Sequence, residues 1–118
     1  MRMTTKPTKQ WSVYVVACAD DSLYVGLSND VVARVAAHNA RKGARYTRSR
    51  TPVSLRWRWD CKSSEDARRL EGLLKRLPRR RRLQVISGDA DVLLPLLAEV
   101  ARRRRPGLEE KPEPPLTT

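Results

Sequence analysis

Two short stretches near the start of the chain alternate apolar and polar positions in the manner of β-strands. Residues 13–18 and 23–28 each present successive side chains to opposite faces. The turn-forming residues 19–22 separate the two stretches, so the pattern predicts an antiparallel hairpin. In such a hairpin Tyr14 and Tyr24 share one face of the sheet. A glycine on that face, Gly26, is typical of a bulge or of a place where another backbone or a ligand comes close.

A helix is predicted directly after the hairpin, with Asn29 or Asp30 as its N-cap. Apolar residues recur behind the cap at helical spacing, at Val31, Val32, Val35 and Ala36. Arg34 and His38 are four residues apart and therefore point the same way. The spacing alone leaves two interpretations open: a functional pair, or an Arg34–Asp30 surface ion pair beside an ordinary exposed imidazole.

Residues 53–61 alternate again and predict a third strand, with Leu55, Trp57 and Trp59 towards the core and arginines outward. Ser63 then opens a capping box for a helix whose buried stripe comprises Ala67, Leu70, Leu74 and Leu77. Glu71 falls at the edge of this stripe, on the side of Lys75. On helical spacing alone, a surface pair of Glu71 with Lys75 is the simpler interpretation.

Pro78 ends this helix and four consecutive arginines follow at residues 79–82, as an exposed helix start that either holds phosphates or is only solvated. Asp89 or Asp91 begins a last helix, in which Pro95 is expected in the first turn or at a kink.

These elements predict a small α/β (α+β) domain. A three-stranded antiparallel sheet is flanked by helices in the order β-β-α-β-α-α, with an extra C-terminal helix. The expected organisation is a flexible N-terminus at residues 1–10, a domain at 11–87, a C-terminal helix packed on it at 88–105, and a disordered Pro- and Glu-rich tail at 106–118.

The net charge of the chain then indicates which class of partner it binds. Among 118 residues there are 25 Lys and Arg against 13 Asp and Glu, a formal net charge of +12, which predicts attraction to a polyanion such as nucleic acid. The sequence contains no stretch near the ~20 apolar residues that span a bilayer, and residues 1–10 lack the apolar core of a signal peptide. We therefore expect a cytoplasmic monomer without membrane contact, in which Cys18 and Cys61 are reduced, partly buried thiols.

The segment from residue 39 to residue 51 is a predicted basic loop around Tyr46. Arginines interleaved with one aromatic ring suit contacts to phosphates and a stacked base. The alternative is a solvated loop whose Tyr46 packs on the sheet. The basic residues in question are Arg41, Lys42, Arg45, Arg48 and Arg50.

The ordered set of motifs resembles the GIY-YIG nuclease family, and within it the small stand-alone bacterial proteins. Ser12-Val13-Tyr14 and Tyr24-Val25-Gly26 stand where the family has its two tripeptides, with Ser-Val and Val in place of the usual Gly-Ile and Ile. The resemblance covers about residues 11–87, and residues 42–48 are one of the matching stretches within it. It also includes Ser28, Asp30, Arg34 and His38 in the helix and Glu71 in the later helix.

The resemblance implies metal-dependent hydrolysis of a nucleic-acid phosphodiester. Tyr14 would be the general base, assisted by Tyr24 or His38, while Arg34 would hold the phosphate and Glu71 one divalent cation. A lone carboxylate suits Mg²⁺, with Mn²⁺ as a substitute, because Mg²⁺ keeps most of its waters. Since an unperturbed tyrosine has a pKa of ~10 and a histidine one of ~6.5, His38 is a rival for the role of base.

The expected substrate is DNA rather than RNA, cut in a structure-selective way. The alternatives are a binding module that holds nucleic acid, including RNA, without cutting it, and an interaction protein that docks an acidic partner. Glu71 favours the enzyme, because a carboxylate beside a phosphate repels it unless a cation lies between them. The predicted nucleic-acid contacts are Gly26, Lys42, Arg45, Tyr46, Arg48, Arg50, Lys75, Arg79 and Arg80.

Overall fold

The computed structural model describes residues 10–104. Its elements in chain order are β1 (Ser12–Ala17), β2 (Leu23–Ser28), α1 (Val31–Asn39), α2 (Arg45–Arg48), β3 (Ser54–Asp60), α3 (Ser64–Arg76), α4 (Arg79–Ile86) and α5 (Ala90–Arg102). The predicted α+β class and the order of its elements are confirmed. The structure adds α2, a single turn inside the segment predicted as a loop. The predicted tail, and the N-terminal segment up to residue 9, lie outside the described residues.

The sheet has the order β2-β1-β3, and both pairs of strands are antiparallel. Tyr14 lies directly opposite Gly26, and Tyr24 lies opposite Val16. Because directly paired residues share a face, Tyr14 and Tyr24 lie on the same side of the sheet, as predicted. The hairpin turn contains Asp21 at φ 72°, a left-handed conformation that aspartate tolerates.

Each face of the sheet carries its own apolar cluster. On one face Val13 and Val15 pack against Leu70 and Leu74 of α3 together with residues of α4 and α5. On the other face Tyr14, Val16 and Cys18 pack with Val31 and Val53 beneath α1. The tyrosines therefore point to the α1 side, and α3 supports the sheet from behind.

The third strand is less buried than the alternation predicts. Trp57 packs partly against the core, but Leu55 and Trp59 remain 40% and 37% exposed. One cause is position, since β3 is an edge strand. For Leu55 a second cause is a register shift: Trp57 pairs with Val15 while Leu55 pairs with Val16, so these two apolar side chains lie on opposite faces.

Side-chain caps explain where the longer helices begin. Asp30 accepts a hydrogen bond from the backbone N–H of Ala33 at 3.1 Å, and Ser63 and Asp89 cap α3 and α5 in the same manner. Pro78 separates α3 from α4 as predicted. Pro95 lies inside α5 beyond its first turn, where a proline has no N–H to offer the helix.

A buried ion pair ties the end of the described chain to α3. Asp66 is 4% exposed, and its Oδ2 lies 2.7 Å from Nη2 of Arg104 and its Oδ1 3.2 Å from Nη1 of Arg69. A buried charge is costly unless it is paired, so these contacts hold Arg104, just beyond α5, against α3. The two cysteines are free and buried, as predicted.

Candidate active site

Tyr14 and Tyr24 stand side by side beneath α1, with ring centroids 6.4 Å apart. A Cβ atom at Gly26 would come within 2.5 Å of the Tyr14 hydroxyl oxygen and 2.6 Å of Cζ. The Tyr14 ring therefore leans across the β2 backbone into space that only a glycine leaves. The close approach predicted at Gly26 is made by a tyrosine of the chain itself.

His38 lies on the inner side of α1 and is the only histidine in the sequence. It is 0% exposed, so the interpretation as an ordinary surface imidazole is wrong: α1 turns this side towards the sheet. Nε2 of His38 lies 2.7 Å from the Tyr14 hydroxyl oxygen, and Nδ1 lies 2.7 Å from Oγ1 of Thr47. The imidazole thus joins β1 to α2, and it also packs edge-on to Tyr24 at 5.3 Å.

Burial shifts the titration of both hydrogen-bonded groups. It raises the pKa of Tyr14 to about 12, against a lowering contribution from Arg34. It lowers the pKa of His38 below its usual value, and the positive charge of Arg34 lowers it further. At neutral pH the pair is consequently a phenol and a neutral imidazole.

Two charged side chains from different helices act on Tyr14. Arg34, half-buried on α1, lowers the Tyr14 pKa, and Glu71, on α3, raises it. The side chain of Glu71 is 19% exposed and its Oε2 lies 3.2 Å from Nζ of Lys75. The structure therefore brings together all the predicted catalytic residues and the predicted metal ligand, and the Glu71–Lys75 pair also exists.

The chemistry of Glu71 fits a hydrated cation. Among residues 10–104, no group of three or more His, Cys, Asp and Glu side chains could hold a metal ion. A cation here would rely on one carboxylate and its own waters, which is a Mg²⁺-like arrangement. The ammonium of Lys75 already shows that this half-buried carboxylate attracts a positive charge.

Tyr46 is part of the same aromatic cluster. Its ring stacks on Tyr24 at 6.1 Å, and the Arg50 guanidinium lies 3.9 Å from its centroid. Arg50 also donates to the backbone carbonyl of Tyr46 at 2.7 Å and to Asp20 of the hairpin turn at 3.0 Å. The loop is thereby pinned to the hairpin, and Arg50 is engaged within the protein while Tyr46 keeps 39% exposure.

A groove of about 270 Å³ runs beside Tyr24. It is lined by Leu23, Tyr24, Val25, Tyr46, Lys75 and Arg82. Arg82 donates to the carbonyl oxygens of Leu74 at 3.1 Å and Lys75 at 2.8 Å, at the end of α3. The groove thus combines aromatic and apolar walls with a basic rim.

The other predicted nucleic-acid contacts fall into two groups. Lys42, Arg45 and Arg48 are exposed around α2. At the start of α4, Arg79 donates to the carbonyl of Asp21 at 2.8 Å, whereas Arg80 is exposed. Four arginines at a helix N-terminus oppose the helix dipole, so their position there is not explained by helix stability.

Three residues that were not predicted as site residues complete the site. Thr47 is 0% exposed and contacts His38. A Cβ atom at Gly43 would collide with Nδ1 of His38, so this glycine leaves room for the imidazole. Asn39 exchanges two hydrogen bonds with the backbone of Val53, at 2.6 and 3.0 Å, and holds the loop against the sheet. The position of Asn39, a polar residue at a helix end, could have suggested its role. Nothing in the sequence marks Thr47 except its place among the arginines.

Residues 10–84 match the family model of the GIY-YIG catalytic domain. The match spans more than half of the chain, which therefore belongs to the GIY-YIG nuclease superfamily, and the resemblance of the motifs is confirmed. A UPF0213 protein of Desulfotalea psychrophila is similar, with 46% identity over 81 residues, 67% of this chain and 74% of the relative. A UPF0213 protein of Staphylococcus haemolyticus is 45% identical over 74 residues, 63% of this chain and 90% of the relative.

One solved structure is also similar. The solution NMR structure of a UPF0213 protein from Bacillus halodurans shares 41% identity, covers 66% of this chain and 83% of that one, and superimposes with a TM-score of 0.45. None of the helices in residues 10–104 has the length and apolarity that crossing a membrane requires.

Proposed function

We propose that this protein is a divalent-metal-dependent endonuclease that hydrolyses phosphodiester bonds, structure-selective on DNA. The observation that carries the proposal is the 2.7 Å contact between the Tyr14 hydroxyl and Nε2 of His38, with Arg34 and Glu71 acting on the same tyrosine. A buried acid–base pair beside one cationic and one anionic side chain is the equipment that phosphodiester hydrolysis needs.

The two candidate bases work best together. With a pKa of about 12, Tyr14 is a phenolate in only about one molecule in 10⁵ at pH 7, too few to be a free base. In the proposed reaction the attacking water forms the new O–P bond and gives a proton to the Tyr14 oxygen. Tyr14 passes its own proton to Nε2 of His38, and the bond to the leaving 3′-oxygen breaks as that oxygen takes a proton from solvent.

Charge neutralisation falls to Arg34 and Glu71. Arg34 would hold a non-bridging phosphate oxygen next to Tyr14, where negative charge grows in the transition state. Glu71 would hold Mg²⁺ or Mn²⁺, which would supply Lewis-acid stabilisation of the phosphate and the leaving oxygen. Lys75 would then release Glu71 and remain beside the groove as a phosphate contact.

The surface around the site suits a nucleic-acid strand. The groove with Tyr24 and Tyr46 lies between the basic α2 region and the arginines that open α4. Phosphates can contact the rim while a base contacts the aromatic wall. With a net charge of +12, binding should be strong at low salt and weaken as salt rises.

The decisive experiment compares Glu71→Gln with the wild type on labelled branched, flap, single-stranded and duplex DNA and RNA, with Mg²⁺, Mn²⁺ or chelator. Cleavage should need the metal and fall more than about 100-fold in Glu71→Gln, since the cation loses its protein ligand. Binding should stay equal or tighten, because a negative charge near the phosphate disappears.

Glu65→Gln is the matched control, since Glu65 is an exposed carboxylate in the first turn of the same helix. It should leave cleavage unchanged. Full activity in Glu71→Gln would refute the metal assignment, and tight binding without cleavage by the wild type would identify a binding module instead.

A further inference from the structure

The hydrogen-bond chain that begins at Tyr14 continues beyond His38. Oγ1 of Thr47 lies 2.7 Å from Nδ1 of His38 and 2.9 Å from the backbone carbonyl oxygen of Ala44. Thr47 is 0% exposed, so water does not compete for its hydroxyl. The chain of contacts therefore runs from β1 through α1 to the backbone that begins α2.

The direction of each bond follows from counting hydrogens. A carbonyl oxygen can only accept, so the single hydroxyl hydrogen of Thr47 goes to Ala44. Oγ1 can then only accept from His38, which requires the proton on Nδ1. A neutral imidazole carries one N–H, so Nε2 presents its lone pair to the Tyr14 O–H at 2.7 Å.

The local backbone holds this arrangement in place. The carbonyl of Ala44 also accepts the backbone N–H of Thr47 at 3.1 Å, so the turn of α2 orients both bonds. Gly43 allows the imidazole to pack directly against this turn. The single turn of α2 thus has a structural role, to hold the imidazole of His38, in addition to carrying basic residues.

We propose that Thr47 is a positioning residue that keeps His38 in the Nδ1-protonated tautomer, leaving Nε2 free to receive the Tyr14 proton. The effect on cleavage rests on the proposed nuclease function, whereas the tautomer is a property of the folded protein alone. Residues that orient a functional histidine typically change activity by about 10–100-fold when removed. In the opposite tautomer Nε2 would carry a proton and could not accept another.

The test uses the fact that the chain has one histidine. Nitrogen-15 labelling of histidine gives NMR signals from a single ring, so the protonated nitrogen is identified directly in wild type, Thr47→Val, Thr47→Ser and Ser49→Ala. We expect the wild type and Thr47→Ser to protonate Nδ1 and leave Nε2 unprotonated above neutral pH. Thr47→Val should shift population towards the Nε2-protonated form. Ser49, an exposed hydroxyl at the end of α2, serves as control, and its replacement should change nothing.

Cleavage at saturating substrate should follow the tautomer: a fall of about 10–100-fold in Thr47→Val, with little change in DNA affinity, and recovery in Thr47→Ser. A wild type protonated at Nε2, or a Thr47→Val protein with the wild-type tautomer, would overturn the assignment. The expected spectra from proteins that never cleave would confirm the tautomer and refute the nuclease function, so the two failures are distinct.

Discussion

Replacing Gly26 with alanine tests whether the Tyr14–His38 contact is the centre of the site. The new methyl carbon would lie 2.5 Å from the Tyr14 hydroxyl oxygen, 2.6 Å from Cζ and 3.0 Å from Cε2. Ordinary van der Waals contacts between heavy atoms begin near ~3.5 Å, so the end of the Tyr14 ring must move by roughly 1 Å. Tyr14 is 1% exposed, and the ring has no open solvent to move into.

The size of the effect follows from that movement. Overpacking a buried site costs about 1–3 kcal/mol, and lengthening the 2.7 Å bond to His38 leaves two buried polar groups poorly paired. We expect Gly26→Ala to lose about 2–3 kcal/mol of unfolding free energy. A displacement of 1 Å in a catalytic group typically costs about 10²-fold in rate, so cleavage should fall by about that factor in protein that remains folded.

Gly72→Ala is the matched control, because a Cβ atom at Gly72 in α3 meets nothing within 4 Å. Alanine there should stabilise the protein by up to about 1 kcal/mol through helix propensity and leave cleavage unchanged. Urea unfolding and single-turnover cleavage measure both quantities for each variant. A Gly26→Ala protein with wild-type stability and rate would refute the packing argument, since Tyr14 would then have room that the structure does not show.

Charge and titration offer two other tests. Replacing the exposed Arg80 and Arg81 with glutamine should flatten the slope of log affinity against log salt by about 1.4–1.8 while leaving cleavage at saturating substrate intact. Lys62→Gln should not flatten the slope, because Lys62 follows β3 at the opposite end of the sheet. Equal slopes for the wild type and the arginine variant would mean that the nucleic-acid strand contacts another part of the surface. The raised pKa of Tyr14 contributes stability that is present below pH 10 and is lost as pH rises through about 12, a loss of about 3 kcal/mol. The Tyr14→Phe variant should not show this loss in unfolding experiments over that pH range. Parallel alkaline stability curves for the two proteins would contradict the burial of the Tyr14 hydroxyl.

Local patterns in the sequence were enough to predict most elements of the site. Alternation placed Tyr14 and Tyr24 on one face, because strand periodicity is a property of the backbone. Helical spacing placed Arg34 and His38 together for the same kind of reason. Helical spacing also put Glu71 at the border of a buried stripe, and it is 19% exposed in the structure.

Features that depend on contacts between distant segments were not predictable in this way. The burial of His38 requires knowing which side of α1 meets the sheet and that α2 covers it. The contact of Arg79 with the hairpin turn spans 58 positions, and no periodicity encodes it. The exposure of Leu55 depends on a register shift in an edge strand, which alternation alone cannot reveal.

Burial also explains why the choice between Tyr14 and His38 as base could not be decided from ordinary pKa values. Removing water disfavours the charged form of each group, so it raises the pKa of the phenol and lowers that of the imidazole. The resting pair is therefore neutral, and transfer of the Tyr14 proton to Nε2 costs more than it would in water. In the proposed reaction that cost is offset only while Tyr14 receives a proton from the attacking water. In that reaction neither residue would be the base alone: Tyr14 would contact the water, and His38 would determine whether Tyr14 can accept its proton.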